Sequence, residues 1–438
     1  MQSGEYFIVE GGARLRGEIR AQGAKNEALQ VLAATLMTDQ TVTLHHVPDI
    51  LDVRRMAGLL ERLGAVVERP DPHTYRVTAA ELHPENIFHP ETAKEARAIR
   101  GSIMILGPLL ARTGKAFLPR PGGDKIGRRR LDTHILGLTE LGAKFDYDKT
   151  QEFYALSGKP RGKYVLLDEA SVTGTANLIM AATLAEGVTT LYNAACEPYV
   201  QQLCKMLNRM GAEISGVGSN LLTIRGVKSL AGTEHTLLAD MIEVGSFIGA
   251  ALMTRSELTI KEADVEHLGV IPMHFRRLGA RVEIVGNDVY VPAQDRLVVE
   301  SYIDGAMPTI SDHTWPGLTP DLLSVFLVVA TRCKGAVLIH QKMFESRLFF
   351  TDKLIDMGAK IILCDPHRAT VIGLDEETKL RGISMTSPDI RAGVALLIAA
   401  LSAEGSSTIF NIEQIDRGYE RIDERLNAIG ARIVRKKN

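Results

Sequence analysis

A short helix-ending signature recurs six times along the chain: RLGAVV, ELGAKF, RMGAEI, RLGARV, DMGAKI and AIGARI. Its glycines are Gly64, Gly142, Gly211, Gly279, Gly358 and Gly430, at intervals of 78, 69, 68, 79 and 72 residues. Each follows a helical pattern and precedes a β-branched or aromatic run, as expected where a helix stops and a strand begins. A second signature falls between these: VLAATLMTDQTVTL, ILGPLLARTGKAFL, LIMAATLAEGVTTL, FIGAALMTRSELTI, FLVVATRCKGAVLI and LLIAALSAEGSSTI. Each is an apolar helix, a polar turn and a β-rich run. These helices are apolar nearly all round, so they belong inside, and their Ala and Gly residues allow close approach. One repeat therefore holds a buried helix, a strand, an outer helix and another strand. Such a unit cannot bury its own core, so neighbours must pack together. The expectation is an α/β chain of two domains, each of three repeats, with buried helices inside and sheets outside. No linker rich in Pro, Gly or Ser marks the join, which should fall near residues 229–239.

Bulk properties exclude several classes. The formal net charge over 438 residues is −2, without the basic excess of a nucleic-acid binder. The four cysteines, Cys196, Cys204, Cys333 and Cys364, form no CxxC pair and no cluster of zinc spacing. They read as reduced thiols of a cytoplasmic protein. The N-terminal stretch lacks the apolar core of a signal peptide. The longest apolar run, GVALLIAALSA, is too short to span a bilayer. GPLLARTGK lacks the spacing and the final Ser/Thr of a phosphate-binding P-loop.

The starts of the six buried helices carry the chemistry: GAKNEAL, ARAIRGSI, SVTGTANL, LADMIEVG, TPDLLSV and SPDIRAG. In the last two, Thr319 and Ser387 have the place of N-caps, Pro320 and Pro388 suit the first helical position, and Asp321 and Asp389 follow. Taken singly, an acid there complements the helix dipole. Lys25 and Arg100 oppose that dipole, and a cation beside a helix N-terminus suits an anion, phosphate above all. One half of the chain thus offers cations and the other acids, which two domains closing on a phosphorylated ligand would bring together. RPGGDKIGRRRLDTH sets Asp124 alone on a glycine loop beside Lys125, Arg128, Arg129 and Arg130. Its plain alternative is a solvated loop. FESRLFF and IDRGYERID add Arg347 and Arg417, for which the plain alternative is a surface ion pair.

Together GAKNEAL, RPGGDKIGRRRLDTH, TPDLLSV, FESRLFF, SPDIRAG and IDRGYERID resemble the enolpyruvyl transferases that act on UDP-N-acetylglucosamine, over essentially the whole chain. The resemblance implies two inside-out, barrel-like α/β domains: residues 22–235, carrying the Asp124 loop, and residues 1–21 with 236–438, carrying Asp321. It implies transfer of the enolpyruvyl group of phosphoenolpyruvate to the 3′-hydroxyl of UDP-N-acetylglucosamine by addition and elimination, with release of phosphate. That is the first committed step of peptidoglycan synthesis, and so of cell-wall growth, shape and division, in the cytoplasm. No metal or organic cofactor is implied, and no nucleic-acid or membrane partner.

The resemblance also assigns residues. Asp321 matches the base position, and Asp124 the position of proton transfer to the methylene carbon, where most relatives carry cysteine. An aspartate there implies insensitivity to the epoxide fosfomycin. Lys25, Asn26, Arg129, Arg391 and Arg417 match phosphoenolpyruvate contacts, Lys25 and Arg417 also acting in catalysis. Asn26, Arg100, Arg129, Arg130, Leu131, Asp132, Thr133, Ser171, Val172, Asp321 and Met343 match sugar-nucleotide contacts. Glu169 and Met241 depart from the lysine and arginine of many relatives. Two rivals stand beside this reading: a related enolpyruvyl transferase with another acceptor, such as 3-phosphoshikimate, and an idle paralogue that binds UDP-sugars and regulates.

Overall fold

In a computed structural model of the chain, residues 4–123, 126–127, 130–375 and 377–437 are described. All six signature glycines have positive φ, between 85° and 111°. In every copy the alanine that follows donates its N–H five residues back: Ala65 to Leu60, Ala143 to Leu138, Ala212 to Leu207, Ala280 to Phe275, Ala359 to Leu354 and Ala431 to Leu426, at 2.9–3.1 Å. This is the Schellman helix stop, and it needs a left-handed residue just before the alanine. Glycine enters that region without the clash a side chain brings.

The chain divides into two compact units. The N-terminal unit is Gly23–Asp124 with Arg130–Leu238. The C-terminal unit is Ala239–Asn438 with Met1–Gln22, and Ile126 and Gly127 group with it.

The N-terminal unit has three sheets. One runs Thr233–Thr236, Val42–His45, Thr74–Thr78, Val66–Asp71, and a second Lys115–Pro119, Phe153–Ser157, Lys144–Asp148. The third runs Tyr164–Leu166, Val188–Tyr192, Leu221–Arg225, Glu213–Ser215. In the third, Tyr164–Leu166 pairs parallel with Val188–Tyr192, and the helix Val172–Thr183 makes the crossover that parallel neighbours require. The outer helix Pro198–Arg209 then leads into an antiparallel hairpin. This repeat is thus strand, buried helix, strand, outer helix and hairpin, two strands more than the sequence pattern suggested; the three-stranded sheet lacks the opening strand. The buried helices Lys25–Ala34 and Leu106–Thr113 each pack on Val172–Thr183. Asn177 joins two of them: its Oδ1 accepts from Gly107 N at 2.7 Å and its Nδ2 donates to Ile103 O at 2.8 Å.

The C-terminal unit repeats the plan with three four-stranded sheets. Its buried helices are Met241–Met253, Leu323–Arg332 and Ile390–Ser402, and every residue of the first is buried. Small residues set their spacing, since a Cβ on Gly249 would lie 2.4 Å from Val325 Cγ1. The N-terminal segment completes two of these sheets. Arg16–Arg20 pairs parallel with Glu257–Lys261, and Glu5–Glu10 lies antiparallel between Ser406–Phe410 and Ile433–Lys437. No helix among the described residues is long and apolar enough to cross a membrane.

Candidate functional site

In the C-terminal unit the chemistry gathers at the starts of two buried helices. Thr319 caps a single turn, Pro320–Leu322, by accepting from Asp321 N at 3.4 Å, and Leu323–Arg332 continues it. The Asp321 carboxylate, freed from capping, faces two guanidinium groups: Arg347 Nη2 at 2.7 Å and Arg391 Nε at 3.4 Å. Arg347 is braced by Pro320 O, which its Nη1 reaches at 3.1 Å, and by the Phe344 ring, 4.7 Å from its carbon.

Asp389 is placed differently from its sequence copy. The N-cap of Ile390–Ser402 is Asp389 itself, in place of the expected Ser387. Its Oδ1 accepts from Arg391 N at 2.8 Å and Ala392 N at 3.0 Å. Extended backbone at Asp389, φ −154°, turns its carboxylate onto its own helix. So the two SPD/TPD turns, alike in sequence, hold one carboxylate as a cap and direct the other at arginines.

Arg391 is 4% exposed and lies over the Tyr419 ring at 5.5 Å. Burial opposes its charge, yet Tyr419 and Asp321 hold it protonated beyond the ordinary range. Burial raises Tyr419 in turn to about 12, and its hydroxyl pairs with Ser246 Oγ at 3.0 Å. Among the described residues, Arg391 Nη1 and Arg347 Nε are buried donors that meet no acceptor. Both arginines line one recess with Ser324, Gln341 and Asp389. Buried donors are normally satisfied, so these two guanidinium N–H groups leave room at the recess for a polar partner. Arg417 is also buried, with its Nη1 on Gln414 Oε1 at 2.8 Å. Met343 is exposed, and its N–H donates to the buried Asp312 carboxylate at 3.1 Å. Sequence reasoning did not single out Asp312, which carries no periodic signal. Met241 is buried in the first turn of its helix.

In the N-terminal unit Lys25 opens the helix Lys25–Ala34, which has no side-chain cap. Its Nζ meets Asp52 at 2.8 Å, with both side chains under 8% exposed. That partner was not foreseen either; it lies in the first turn of Leu51–Arg62. Asn26 is half-buried beside Lys25. The turn Arg100–Ile105 packs on the same helix, where a Cβ on Gly101 would lie 3.0 Å from Leu29 Cδ1. Arg100 Nη2 donates to Arg130 O at 2.9 Å. Leu131 then caps the helix Asp132–Glu140. Thr133 donates to Asp168 at 2.7 Å, and its methyl faces Gly174 in the first turn of Val172–Thr183. Ser171 caps that helix through Gly174 N at 3.2 Å. Thus Arg100, Arg130, Leu131, Asp132, Thr133, Ser171 and Val172 come together around adjacent helix starts, a place suited to anions. Glu169 is exposed nearby, and its carbonyl accepts from Ser171 N. Asp124 and Arg129 lie outside the described residues. Among the described residues no cluster of His, Cys, Asp or Glu is arranged for a metal.

Residues 9–426 match the family described as EPSP synthase (3-phosphoshikimate 1-carboxyvinyltransferase). The chain is 62% identical over 430 residues to the UDP-N-acetylglucosamine 1-carboxyvinyltransferase of Bacteroides thetaiotaomicron, covering 98% of this chain and 99% of that one. It is 47% identical to the protein of the same name from Borreliella burgdorferi, covering 99% of both. Among solved structures, the enolpyruvyl transferase NikO from Streptomyces tendae superposes with a TM-score of 0.86 at 22% identity, covering 100% of both chains. EPSP synthase from Acinetobacter baumannii gives 0.71 at 15% identity, covering 99% of this chain and 100% of that one. At those identities the two structures speak for the fold alone.

Proposed function

Because the chain belongs to the EPSP synthase family, and within it to the UDP-N-acetylglucosamine 1-carboxyvinyltransferases, we propose that it transfers the enolpyruvyl group of phosphoenolpyruvate to the 3′-hydroxyl of UDP-N-acetylglucosamine and releases phosphate. The observation that carries this reading is the Asp321 carboxylate beside two arginines that keep unused buried N–H groups.

Asp321 accepts the proton of the 3′-hydroxyl as its oxygen bonds to C2 of phosphoenolpyruvate. Asp124 delivers a proton to the methylene carbon, and the tetrahedral intermediate forms. Asp124 takes a proton back from the new methyl group as the C–O bond to phosphate breaks, and the enol ether remains. The hydroxyl proton held by Asp321 leaves with the phosphate, so both carboxyl groups return to their starting states. By their match to the family's positions, Arg391, Arg417, Lys25, Asn26 and Arg129 hold the carboxylate and phosphate of phosphoenolpyruvate. Planar guanidinium forks suit both anions and stabilise the charge that grows on the phosphate as it departs. Asn26, Arg100, Arg129, Arg130, Leu131, Asp132, Thr133, Ser171, Val172, Asp321 and Met343 match the family's contacts to UDP-N-acetylglucosamine. The reaction needs no metal or organic cofactor, and it serves peptidoglycan synthesis in the cytoplasm.

The test is phosphate release from phosphoenolpyruvate with and without UDP-N-acetylglucosamine. Release that depends on the sugar nucleotide is expected. Release driven by shikimate 3-phosphate instead would move the chain to the other acceptor. Tight binding of UDP-N-acetylglucosamine without release would leave the regulatory, idle reading.

A further inference from the structure

We propose that Gln22 is a positioning residue that holds the anion-binding arginines Arg417 and Arg391 of the C-terminal unit in place; the proposal rests on the phosphoenolpyruvate role given to them above. Gln22 is 6% exposed, and each of its four polar groups has a partner. Its N–H donates to Glu243 Oε2 at 2.6 Å and its C=O accepts from Asp240 N at 2.8 Å. Its side-chain Nε2 donates to Gly418 O at 2.8 Å, and its Oε1 accepts from Glu420 N at 2.8 Å. The carboxamide therefore grips the peptides on both sides of Tyr419, as a neighbouring strand would.

That grip is connected to both arginines. Arg417 directly precedes Gly418, where a Cβ would lie 2.4 Å from Ile390 Cγ2, so the segment is pressed onto the start of Ile390–Ser402. Tyr419 is 1% exposed, and its ring underlies the Arg391 guanidinium. A slip of residues 418–420 moves the backbone of Arg417 and the support of Arg391 together. Gln22 is itself fixed from behind. Glu243 is fully buried and receives Arg425 on both oxygens, at 2.5 and 3.0 Å.

Glutamine is specific here because one planar group must donate to a carbonyl and accept from an N–H at the same reach. Met fills the volume and makes neither bond. Ionised Glu keeps the acceptor and sets a second oxygen against Gly418 O, whereas protonated Glu restores a donor.

The experiment compares Gln22→Met and Gln22→Glu with the unaltered chain in steady-state turnover, varying each substrate, and measures calorimetric affinity for phosphoenolpyruvate. Gln22→Met should raise KM for phosphoenolpyruvate roughly tenfold while leaving KM for UDP-N-acetylglucosamine within about twofold, as loss of two hydrogen bonds at one subsite predicts. Gln22→Glu should show the same defect at pH 7.5, where a carboxylate puts a second oxygen in place of the donor. An unchanged KM for phosphoenolpyruvate, or equal rises for both substrates, overturns the proposal. So does a Gln22→Glu variant that matches the unaltered chain at pH 7.5. Failure of the unaltered chain to release phosphate would count against the reaction and not against Gln22, which the calorimetric affinities of the variants then decide. Equal affinities there overturn it.

Discussion

The Arg347 guanidinium lies 2.7 Å from the Asp321 carboxylate and reaches the carbonyl of Pro320 with its other terminal nitrogen. Arginine thereby locks the carboxylate and the turn that carries it into one body. Asp321→Asn keeps the shape of the turn and removes the proton acceptor. It should lower kcat by about 100-fold or more while UDP-N-acetylglucosamine still binds. Arg347→Lys keeps the charge and loses the fork, so its cost should be smaller, roughly tenfold, and shared between kcat and KM. Stopped assays with calorimetry of the sugar nucleotide check both. Near-normal turnover in a folded Asp321→Asn removes Asp321 from the proton path.

A second expectation concerns acid. His134 is 2% exposed, with Nδ1 accepting from Asn177 Nδ2 at 3.0 Å and Nε2 on Thr173 Oγ1 at 3.1 Å. Burial, aided by the charge of Arg100, lowers it to about 3. An unfolded histidine titrates near 6.5, so below that pH the unfolded chain takes up a proton that the folded chain refuses. The stabilising contribution is full above about pH 6.5 and is lost as pH falls toward about 3, at roughly 1.4 kcal/mol per pH unit. His134→Gln should weaken the protein at pH 7.5, because the ring fills its site and makes two bonds. Between pH 6.5 and 4.5 it should show a slope shallower by about that amount. Urea denaturation at several pH values reads this directly, and parallel slopes would refute it.

Glycines at two positions should respond to alanine with opposite signs. At Gly249 a Cβ would sit 2.4 Å from Val325 Cγ1, between two buried helices. Gly249→Ala should cost about 1–3 kcal/mol through overpacking. At Gly58, inside the helix Leu51–Arg62, a Cβ meets nothing within 4 Å. Gly58→Ala should add about 0.5–1 kcal/mol, since alanine loses less backbone entropy in a helix. Thermal melts of the two variants test the pair, and a melting temperature raised by Gly249→Ala would contradict the packing described.

What the sequence revealed and what it hid have distinct physical causes. The helix stops were legible because a Schellman turn demands a left-handed residue locally, and glycine answers it six times over. The opening parallel strand of the four-stranded sheets was not, since its partner is set by distant pairing: Thr233–Thr236 joins Val42–His45, and Arg16–Arg20 joins Glu257–Lys261. Asp321 and Asp389 looked equivalent because motif and spacing agree. Backbone dihedrals, which no motif records, made one a cap and turned the other to Arg347. Asp52, Asp312 and Gln22 left no trace, for each acts through a tertiary partner; Asp52 even sits among the apolar positions of a buried helix face, where its acid gives no sign of Lys25.

The last prediction turns on Asp124, which lies outside the described residues and whose part rests on the resemblance of RPGGDKIGRRRLDTH. Fosfomycin is an epoxide opened by a thiolate, and a carboxylate is a far weaker nucleophile toward it. No cysteine lies in this stretch, and Cys204 and Cys333 are buried thiols that burial raises to about 12, leaving them protonated and inert. The unaltered chain should therefore keep full activity in the drug and gain no adduct mass. Asp124→Cys should become sensitive and keep part of its turnover, because a thiol also exchanges a proton near neutral pH. Asp124→Asn should lose about 100-fold or more, since an amide cannot. Intact-protein mass spectrometry after treatment with fosfomycin and UDP-N-acetylglucosamine, beside phosphate-release assays, separates the claims. An adduct on the unaltered chain would mean that some other nucleophile faces the drug, and full activity in Asp124→Asn would take the methylene proton away from this loop.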